Sequence, residues 1–212
     1  MMRSILEEEV AVELQHVNVK LLLANPEELN LDAAIPVFHS WIQDQVCEEL
    51  LLDVTDYRHV HHGPGVVLIG HEADYSIDNT NGRLGIRYNR KAPLDGTNED
   101  RLTQGVRAAL AAAERLQQDT QLNGKFNFNG RDIEIFINDR LLAPNGSETR
   151  HALESKFQAF AHDLFGAVKH TMTFESDPRR LFGATIKAEQ GVTVADLVEN
   201  MSRRKNPTYD VL

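Results

Sequence analysis

An Asn-Gly pair interrupts the most regular alternation of apolar and polar residues in the chain. Asn129-Gly130 separates Lys125–Phe128 from Arg131–Asn138, and Asn-Gly is the preferred pair for a two-residue type I′ turn. Pairing across such a turn places Phe126 opposite Ile133 and gives the two strands one apolar and one polar face. The segment therefore predicts a β-hairpin in an antiparallel sheet. Its predicted apolar face consists of Phe126, Phe128, Ile133, Ile135 and Ile137.

The rest of the chain alternates between short apolar strands and amphipathic helices. Strand-like runs are bounded by Gly, Pro, Asn or Asp, and helical runs have apolar residues every three or four positions. Thr97 with Asp100 and Thr193 with Asp196 resemble capping boxes at two helix starts. The other predicted strands are Val17–Leu23, Leu50–Tyr57, Val66–Glu72, Leu84–Tyr88, Thr171–Phe174 and Leu181–Lys187, and the predicted helices are Pro36–Val46, Glu99–Gln118, Ser147–Phe165 and Thr193–Met201.

The order of these elements predicts an α+β fold with antiparallel sheets and packed helices. Read with one hairpin in each half, the order is β-α-β-β-α twice, which is most of a ferredoxin-like unit. We therefore expect a first half at residues 1–120, a second half at 121–201 packed on it, and a flexible tail at 202–212. The halves would either enclose a cleft or join their strands into one sheet. Chance also explains the order, because alternating strands and helices are common.

The charge balance disfavours polyanionic partners. The formal net charge is −10, whereas binding to nucleic-acid phosphates depends on Lys and Arg. Anionic membrane surfaces are disfavoured for the same reason. No apolar run approaches the roughly 18 residues of a membrane-spanning helix. We therefore expect binding to neither nucleic acid nor membrane.

Cysteine usage and the acidic start predict a cytoplasmic protein. Cys47 is the only cysteine, so no internal disulfide can form. The run Glu7-Glu8-Glu9 is unlike the basic start of a secretory signal. Cys47 ends an apolar helical pattern, where it is expected to act as a small buried hydrophobic side chain.

Histidines cluster around the predicted turn Gly63-Pro64-Gly65. His59, His61, His62 and His71, followed by Glu72, fall within 14 residues. Imidazole and carboxylate groups are the usual ligands of divalent transition metals such as zinc and iron. The five residues are therefore candidate metal ligands. The alternative is a set of solvated turn residues, because no compact metal motif such as His-Glu-x-x-His is present.

Strand parity divides this cluster. If the turn is centred on Gly63-Pro64, His71 pairs near Asp56 and lies on the face opposite His59 and His61. Such a His71–Asp56 pair could serve acid–base chemistry, because a carboxylate orients an imidazole and raises its pKa. A bulge at the turn would change the parity and bring the histidines together.

Two basic segments are candidates for binding an anionic ligand. Arg87, Arg90 and Lys91 follow a predicted strand, and Arg179 and Arg180 occupy a turn in the second half. Guanidinium groups suit phosphate and carboxylate ligands. If the halves are related, both segments would flank one cleft, whereas ordinary alternation of surface charge accounts for them equally well.

No signature of a common enzyme class occurs in the sequence. Gly63-Pro64-Gly65 lacks the Lys-Ser/Thr of a phosphate-binding loop, and there is no Gly-x-Ser-x-Gly. The leading hypothesis is a ligand-binding or assembly module, homo-oligomeric or bound to a partner, with an unknown small-molecule ligand. The alternatives are a metal-dependent hydrolase that uses the histidine hairpin and a protein that binds a phosphorylated small molecule. Whether the chain is an enzyme stays open.

Overall fold

The computed structural model describes residues 12–26 and 29–204. In these residues, eight strands form one antiparallel sheet, and four helices pack on one of its faces. The fold is therefore α+β, as predicted. Of the two arrangements considered for the halves, the structure has the one in which the strands join a single sheet.

The sheet has the strand order β2-β3-β4-β5-β1-β6-β8-β7. All neighbouring strands are antiparallel, with β5 and β1 at the centre and β2 and β7 at the edges. The strands are β1 Val17–Leu23, β2 Leu51–Tyr57, β3 Gly65–Gly70, β4 Ala73–Asp78, β5 Gly85–Arg90, β6 Phe128–Ile137, β7 His170–Phe174 and β8 Gly183–Ala188.

The helices are α1 Ala34–Asp44, α2 Asn98–Gln118, α3 Ser147–Phe165 and α4 Val194–Arg203. α1 packs on β2 and β3, α2 on β1 and β5, α3 on β7, and α4 on β6. Both predicted capping boxes are confirmed, because α2 begins after Thr97 and α4 after Thr193 with reciprocal hydrogen bonds to an aspartate. None of the described helices is both long and apolar enough to cross a membrane.

The central strand β1 is buried on both faces of the sheet. Val17, Val19 and Leu21 face the helices, where a Cβ at Gly105 of α2 would lie 3.1 Å from Val17. The alternate residues Asn18 and Lys20 project to the other face and are also buried. The sheet therefore has an apolar core on its helix side and a buried polar layer on its other side.

The curl of the sheet closes the polar face. Arg180, in the loop between β7 and β8, donates a 3.1 Å hydrogen bond to Asn81, in the turn between β4 and β5. The strand registers put this loop and this turn at opposite ends of the sheet. Because the helices cover one face of the sheet, the loop between β7 and β8 and the turn between β4 and β5 can meet only across the opposite, polar face. The curl explains how Lys20 is buried without a helix above it.

The predicted hairpin at Asn129-Gly130 is wrong. Both residues lie inside the continuous strand β6, and the ladder with β1 jumps from Ile133 to Asn129 at that point. The three residues between them form a bulge, in which the Asn129 side chain accepts a hydrogen bond from the backbone N–H of Arg131 at 2.8 Å. The Asn-Gly pair thus shapes a bulge instead of a chain reversal.

The first half contains more strands than the sequence predicted. β4 was not predicted, and the predicted strand Val66–Glu72 ends at Gly70. Four strands therefore lie between α1 and α2, whereas the second half has the predicted order β-α-β-β-α. The order of elements does not establish two ferredoxin-like halves.

The prediction of a flexible tail from residue 202 is wrong for residues 202–204. α4 continues to Arg203, and Arg204 forms ion pairs with Glu99 at 2.6 Å and Asp163 at 3.1 Å. The remainder of that tail, 205–212, and the acidic run Glu7-Glu8-Glu9 lie outside the described residues.

Candidate functional site

A cleft of about 1330 Å³ opens between α1 and α2 on the helix side of the sheet. α1 covers β2 and β3 and α2 covers β1 and β5, which leaves a gap above β4. Tyr75 of β4 lies at the floor, Trp41 of α1 forms one wall, and Ala108 and Ala112 of α2 form the other. The connection after α1 contributes Glu49 to the same cleft.

Two tyrosine hydroxyls hold the Glu49 carboxylate in place. Tyr75 donates to Glu49 Oε2 at 2.5 Å, and Tyr88 donates to Glu49 Oε1 at 2.9 Å. The tyrosines are directly paired on β4 and β5, with their ring centroids 5.2 Å apart. Gln104 of α2 donates to the Tyr88 hydroxyl at 2.8 Å. Each carboxylate oxygen therefore has one fixed donor and the capacity to accept another hydrogen bond.

Both tyrosines stay protonated at neutral pH. Burial raises the pKa of Tyr75 and of Tyr88, and the neighbouring Glu49 charge raises each further. A protonated hydroxyl beside a carboxylate can only donate to it. The two tyrosines thus act as fixed donors that orient Glu49.

No basic side chain of the described residues forms an ion pair with Glu49. The nearby cations have other partners: Arg90 bonds to Glu72 at 3.1 Å, and Arg115 donates to the Val46 carbonyl at 3.3 Å. A half-buried carboxylate without a cation favours a ligand that brings positive charge or hydrogen-bond donors.

Cys47 lines the cleft beside Glu49 and is half-buried instead of fully buried. Burial raises the pKa of its thiol, and the Glu49 charge adds to that effect. The thiol is therefore protonated at neutral pH, whereas nucleophilic cysteines need a lowered pKa. Cys47 acts here as a small wall residue.

The structure does not assemble the five predicted metal ligands. His59, His61 and His62 are exposed on the loop between β2 and β3, where the last two rings stack with centroids 4.0 Å apart. His71 and Glu72 lie in the turn between β3 and β4, at the other end of β3. Six residues of strand span roughly 20 Å. Among the described residues, no group of three or more His, Cys, Asp or Glu side chains could hold a metal ion.

The proposed pairing of His71 with Asp56 is wrong. Asp56 pairs with Val66, because the loop between β2 and β3 runs from Arg58 to Pro64, longer than a tight turn. The Asp56 carboxylate accepts hydrogen bonds from Arg58, whose guanidinium lowers the pKa of Asp56 to about 2. His71 lies beyond the far end of β3.

The first basic segment does not form one anion site. Arg87 lies on the polar face, where Asn18 Oδ1 accepts from its Nη2 at 2.9 Å. Arg90 projects to the helix side and pairs with Glu72, which places both predicted residues on the rim of the cleft. Lys91 forms an ion pair with Asp74 at 2.7 Å. Alternation along β5 thus sends Arg87 and Arg90 to opposite faces.

The two arginines of the second basic segment form contacts within their own loop and with the turn between β4 and β5. Arg179 pairs with Asp177 at 2.8 Å, and Arg180 bonds to Asn81 and to Glu175. Neither residue lines the cleft between α1 and α2. The two basic segments therefore do not flank a shared cleft.

The buried layer on the polar face contains a charged pair that the sequence did not single out. Lys20 Nζ lies 2.5 Å from Asp78 Oδ1, and both side chains are almost completely buried. Thr80 donates to Asp78 through its backbone N–H at 3.1 Å and its hydroxyl at 2.8 Å, and Arg87 Nη1 lies 3.6 Å from Asp78. Burial lowers the pKa of Lys20, and the Asp78 charge opposes that shift.

Three residues of the candidate site were missed in the sequence. Glu49, Tyr75 and Tyr88 converge only because β4 pairs with β5 in a register that sets the tyrosines side by side. Tyr75 and Ile77 alternate with Asp74 and Ser76, which is a strand pattern that could have been found. No pattern of neighbouring residues in the sequence indicates that Tyr75 and Tyr88 both reach Glu49.

No protein-family model matches the chain, and neither the curated proteins nor the solved structures contain a significant match to it.

Proposed function

We propose that the protein binds a small organic ligand carrying an amine or another cationic hydrogen-bond donor in the cleft between α1 and α2. The observation that carries the proposal is the Glu49 carboxylate, oriented by Tyr75 and Tyr88 and without a basic partner among the described residues. A protonated amine placed there would donate hydrogen bonds to both carboxylate oxygens of Glu49.

The charges around the cleft support a cationic ligand. Its lining includes six carboxylates and three arginines, and Arg90 is already paired with one of the acids. The Trp41 ring and the alanine wall of α2 supply apolar surface for the ligand's carbon chain. A phosphorylated ligand would instead meet an excess of negative charge.

Binding is favoured over catalysis by the chemistry of the lining side chains. Burial and the Glu49 charge raise the pKa of Tyr75, Tyr88 and Cys47, so none of them is a strong base or nucleophile near neutral pH. Glu49 is fixed by two donors, which suits a recognition group.

The test is a thermal-shift and calorimetric screen with spermidine, agmatine and arginine, and with inorganic phosphate as the anionic comparison. We expect at least one amine to stabilise the protein, by about 2.7 kcal/mol when its concentration is 100 times its Kd. Glu49→Gln should abolish that shift, because it removes the charge and keeps the shape. Glu148→Gln, at an exposed carboxylate in the first turn of α3, is the matched control and should bind as the wild type does. Stabilisation by phosphate alone would contradict the proposal.

The metal-dependent hydrolase and the phosphate-binding protein stay predictions from the sequence. His59, His61 and His62 share one exposed loop, and metal content measured on chelator-free protein tests whether they bind zinc or iron. A stoichiometric metal that disappears in the variant His59→Ala/His61→Ala would support the hydrolase.

We also propose that the two halves derive from one β-α-β-β-α unit, with β2 and β3 added in the first half. In each half, the last helix follows the strand that pairs with the first strand: β5 pairs with β1, and β8 pairs with β6. Superposition of β1-α1-β4-β5-α2 on β6-α3-β7-β8-α4 tests this origin, and a poor fit of the helices would exclude it.

A further inference from the structure

The strand β2 forms one edge of the sheet and carries an unusual amount of exposed apolar surface. β2 pairs with β3 on one side, and no strand among the described residues pairs with its other side. Six large hydrophobic residues of the described chain are exposed, and four of them lie on β2 or next to it. These four are Leu50 (61% exposed), Leu52 (51%), Tyr57 (39%) and Val60 (44%).

The opposite edge does not share this feature. β7 exposes Thr171 and Thr173, and none of its residues is among the exposed large hydrophobics. Soluble proteins usually protect an edge strand with charge, a bulge or a covering loop. β2 has a bulge next to Leu51, but Asp53–Tyr57 continue in regular register with β3. An exposed edge with apolar flanks is typical of a surface that receives another strand.

We propose that β2 pairs with β2 of a second copy of this chain, antiparallel about a two-fold axis, to join two sheets into one. A two-fold axis between antiparallel strands is perpendicular to the sheet and keeps each residue on its own face. Each residue therefore lies opposite a residue of the other chain that projects to the same face of the sheet. At the axis, one residue lies opposite the same residue of the other chain. Val54 is the middle residue of Leu51–Tyr57, so a register centred on Val54 pairs the complete strand.

Charge disfavours two of the alternative registers. Centring on Val54 places Asp53 opposite Thr55 of the second copy, and Val54 opposite itself. Centring on Asp53 or on Asp56 would place identical carboxylates directly opposite each other, which is destabilising. Asp56 is neutralised within its own chain by Arg58 at 2.6 Å.

The apolar flanks support a second copy over an unrelated partner. Leu50 and Leu52 lie at the start of β2, and Tyr57 and Val60 lie at its end. In the antiparallel pair, the start of each strand approaches the end of the other. In the register centred on Val54, Leu51 of one chain lies opposite Tyr57 of its copy, and this apolar contact repeats by symmetry.

The first experiment measures mass in solution by light scattering after size exclusion. We expect the wild type at twice the chain mass of 23.9 kDa, and Leu52→Asp at half of the wild-type value. The matched control is Leu141→Asp, at an exposed leucine 90% accessible and far from β2, which should keep the dimer mass. A monomeric wild type, or a control that dissociates as Leu52→Asp does, would overturn the proposal.

The second experiment tests the register without weakening the interface. In a Cys47→Ser background, Val54→Cys should form an intermolecular disulfide under mild oxidation. Directly opposed residues have Cβ atoms about 4.5–5.5 Å apart, and a small shift of the two strands brings them into the roughly 3.5–4.5 Å range of a disulfide. Thr171→Cys on the other edge strand is the control and should stay monomeric on a non-reducing gel. Cross-linking through Thr171→Cys, or none through Val54→Cys, would contradict pairing through β2.

Discussion

The ion pair between Lys20 and Asp78 places two charges in the middle of the sheet. Both side chains are nearly inaccessible, and their charged atoms are 2.5 Å apart. Removing two charges from water costs several kcal/mol for each ion, and only mutual attraction and further hydrogen bonds offset that cost. Thr80 supplies two such bonds to Asp78. The pair is therefore sensitive to the loss of either member.

We predict that Lys20→Met destabilises the protein by about 3 kcal/mol, the lower end of the cost of breaking a buried pair, because Arg87 stays 3.6 Å from the buried Asp78 carboxylate. The double variant Lys20→Met/Asp78→Leu removes both charges and should recover most of that loss. Urea denaturation followed by circular dichroism measures the free energy of unfolding of all three proteins. A double variant no more stable than the single one would show that the pair itself carries the stability.

The same pair has a pH signature with a defined sign. Burial lowers the folded-state pKa of Lys20 below its ordinary value of 10.5, so the unfolded chain binds the proton more tightly. The free energy of unfolding should therefore rise as the pH increases from the folded-state value toward 10.5. The buried tyrosines also titrate in alkali, so the wild type is compared with the double variant, which keeps them. A difference between the two that stays constant up to pH 10 would contradict a lowered pKa.

At the scale of single elements, the local signals of helices were read correctly, whereas the Asn-Gly pair inside β6 was not. The capping boxes at Thr97 and Thr193 depend on residues three positions apart, and the structure contains both. The range of α3 matches the predicted helix Ser147–Phe165. Such features are set by neighbouring residues, so one sequence is enough to find them.

β4 was missed because its alternate residues are polar, although the strands that pair with it, β3 and β5, are its neighbours in sequence. Asp74, Ser76 and Asp78 are residue types that strands disfavour when exposed. In the fold, Asp78 is paired by Lys20, 58 residues earlier in the chain. The candidate site was not predicted from the sequence for the same reason, since Tyr75 of β4 is part of it. Of the predicted site residues, only Glu72 and Arg90 lie on the cleft, and they pair with each other.

The bulge in β6 gives the Asn-Gly pair a testable role. A Cβ at Gly130 would lie 2.3 Å from the Val192 carbonyl oxygen, in the segment before α4. We predict that Gly130→Ala destabilises the protein by about 1–3 kcal/mol, because backbone atoms must shift to make room. Gly191→Ala is the matched control, since no atom lies within 4 Å of its new Cβ. Thermal unfolding measures both, and an equal melting temperature for the two variants would contradict the close approach at Gly130.

At the scale of the whole molecule, the two predicted halves share one hydrophobic core. The buried side chains of both halves form a single continuous cluster. β1 and β6 pair along the length of β1 inside the sheet, from Val17 with Ile137 to Leu23 with Phe128. Separating the halves would uncover one edge of β1, which is buried on both faces, and one edge of β6, which is buried on its helix side. We therefore expect that the predicted boundary near residue 120 does not separate two units that are stable on their own.

A nick between the halves tests this cooperativity. Asn123 and Gly124 are exposed, and no atom lies within 4 Å of a Cβ placed on Gly124, so a protease site inserted there should be tolerated. After cleavage, we expect the two fragments to elute together and to unfold in one calorimetric transition, because neither can bury its central strand alone. Cleaved protein that keeps the circular dichroism of the intact chain but melts in two separate steps would identify the halves as independent domains. The uncleaved insertion variant is the control and should unfold in a single transition. The difference between its melting temperature and that of the cleaved protein measures the effect of breaking the chain.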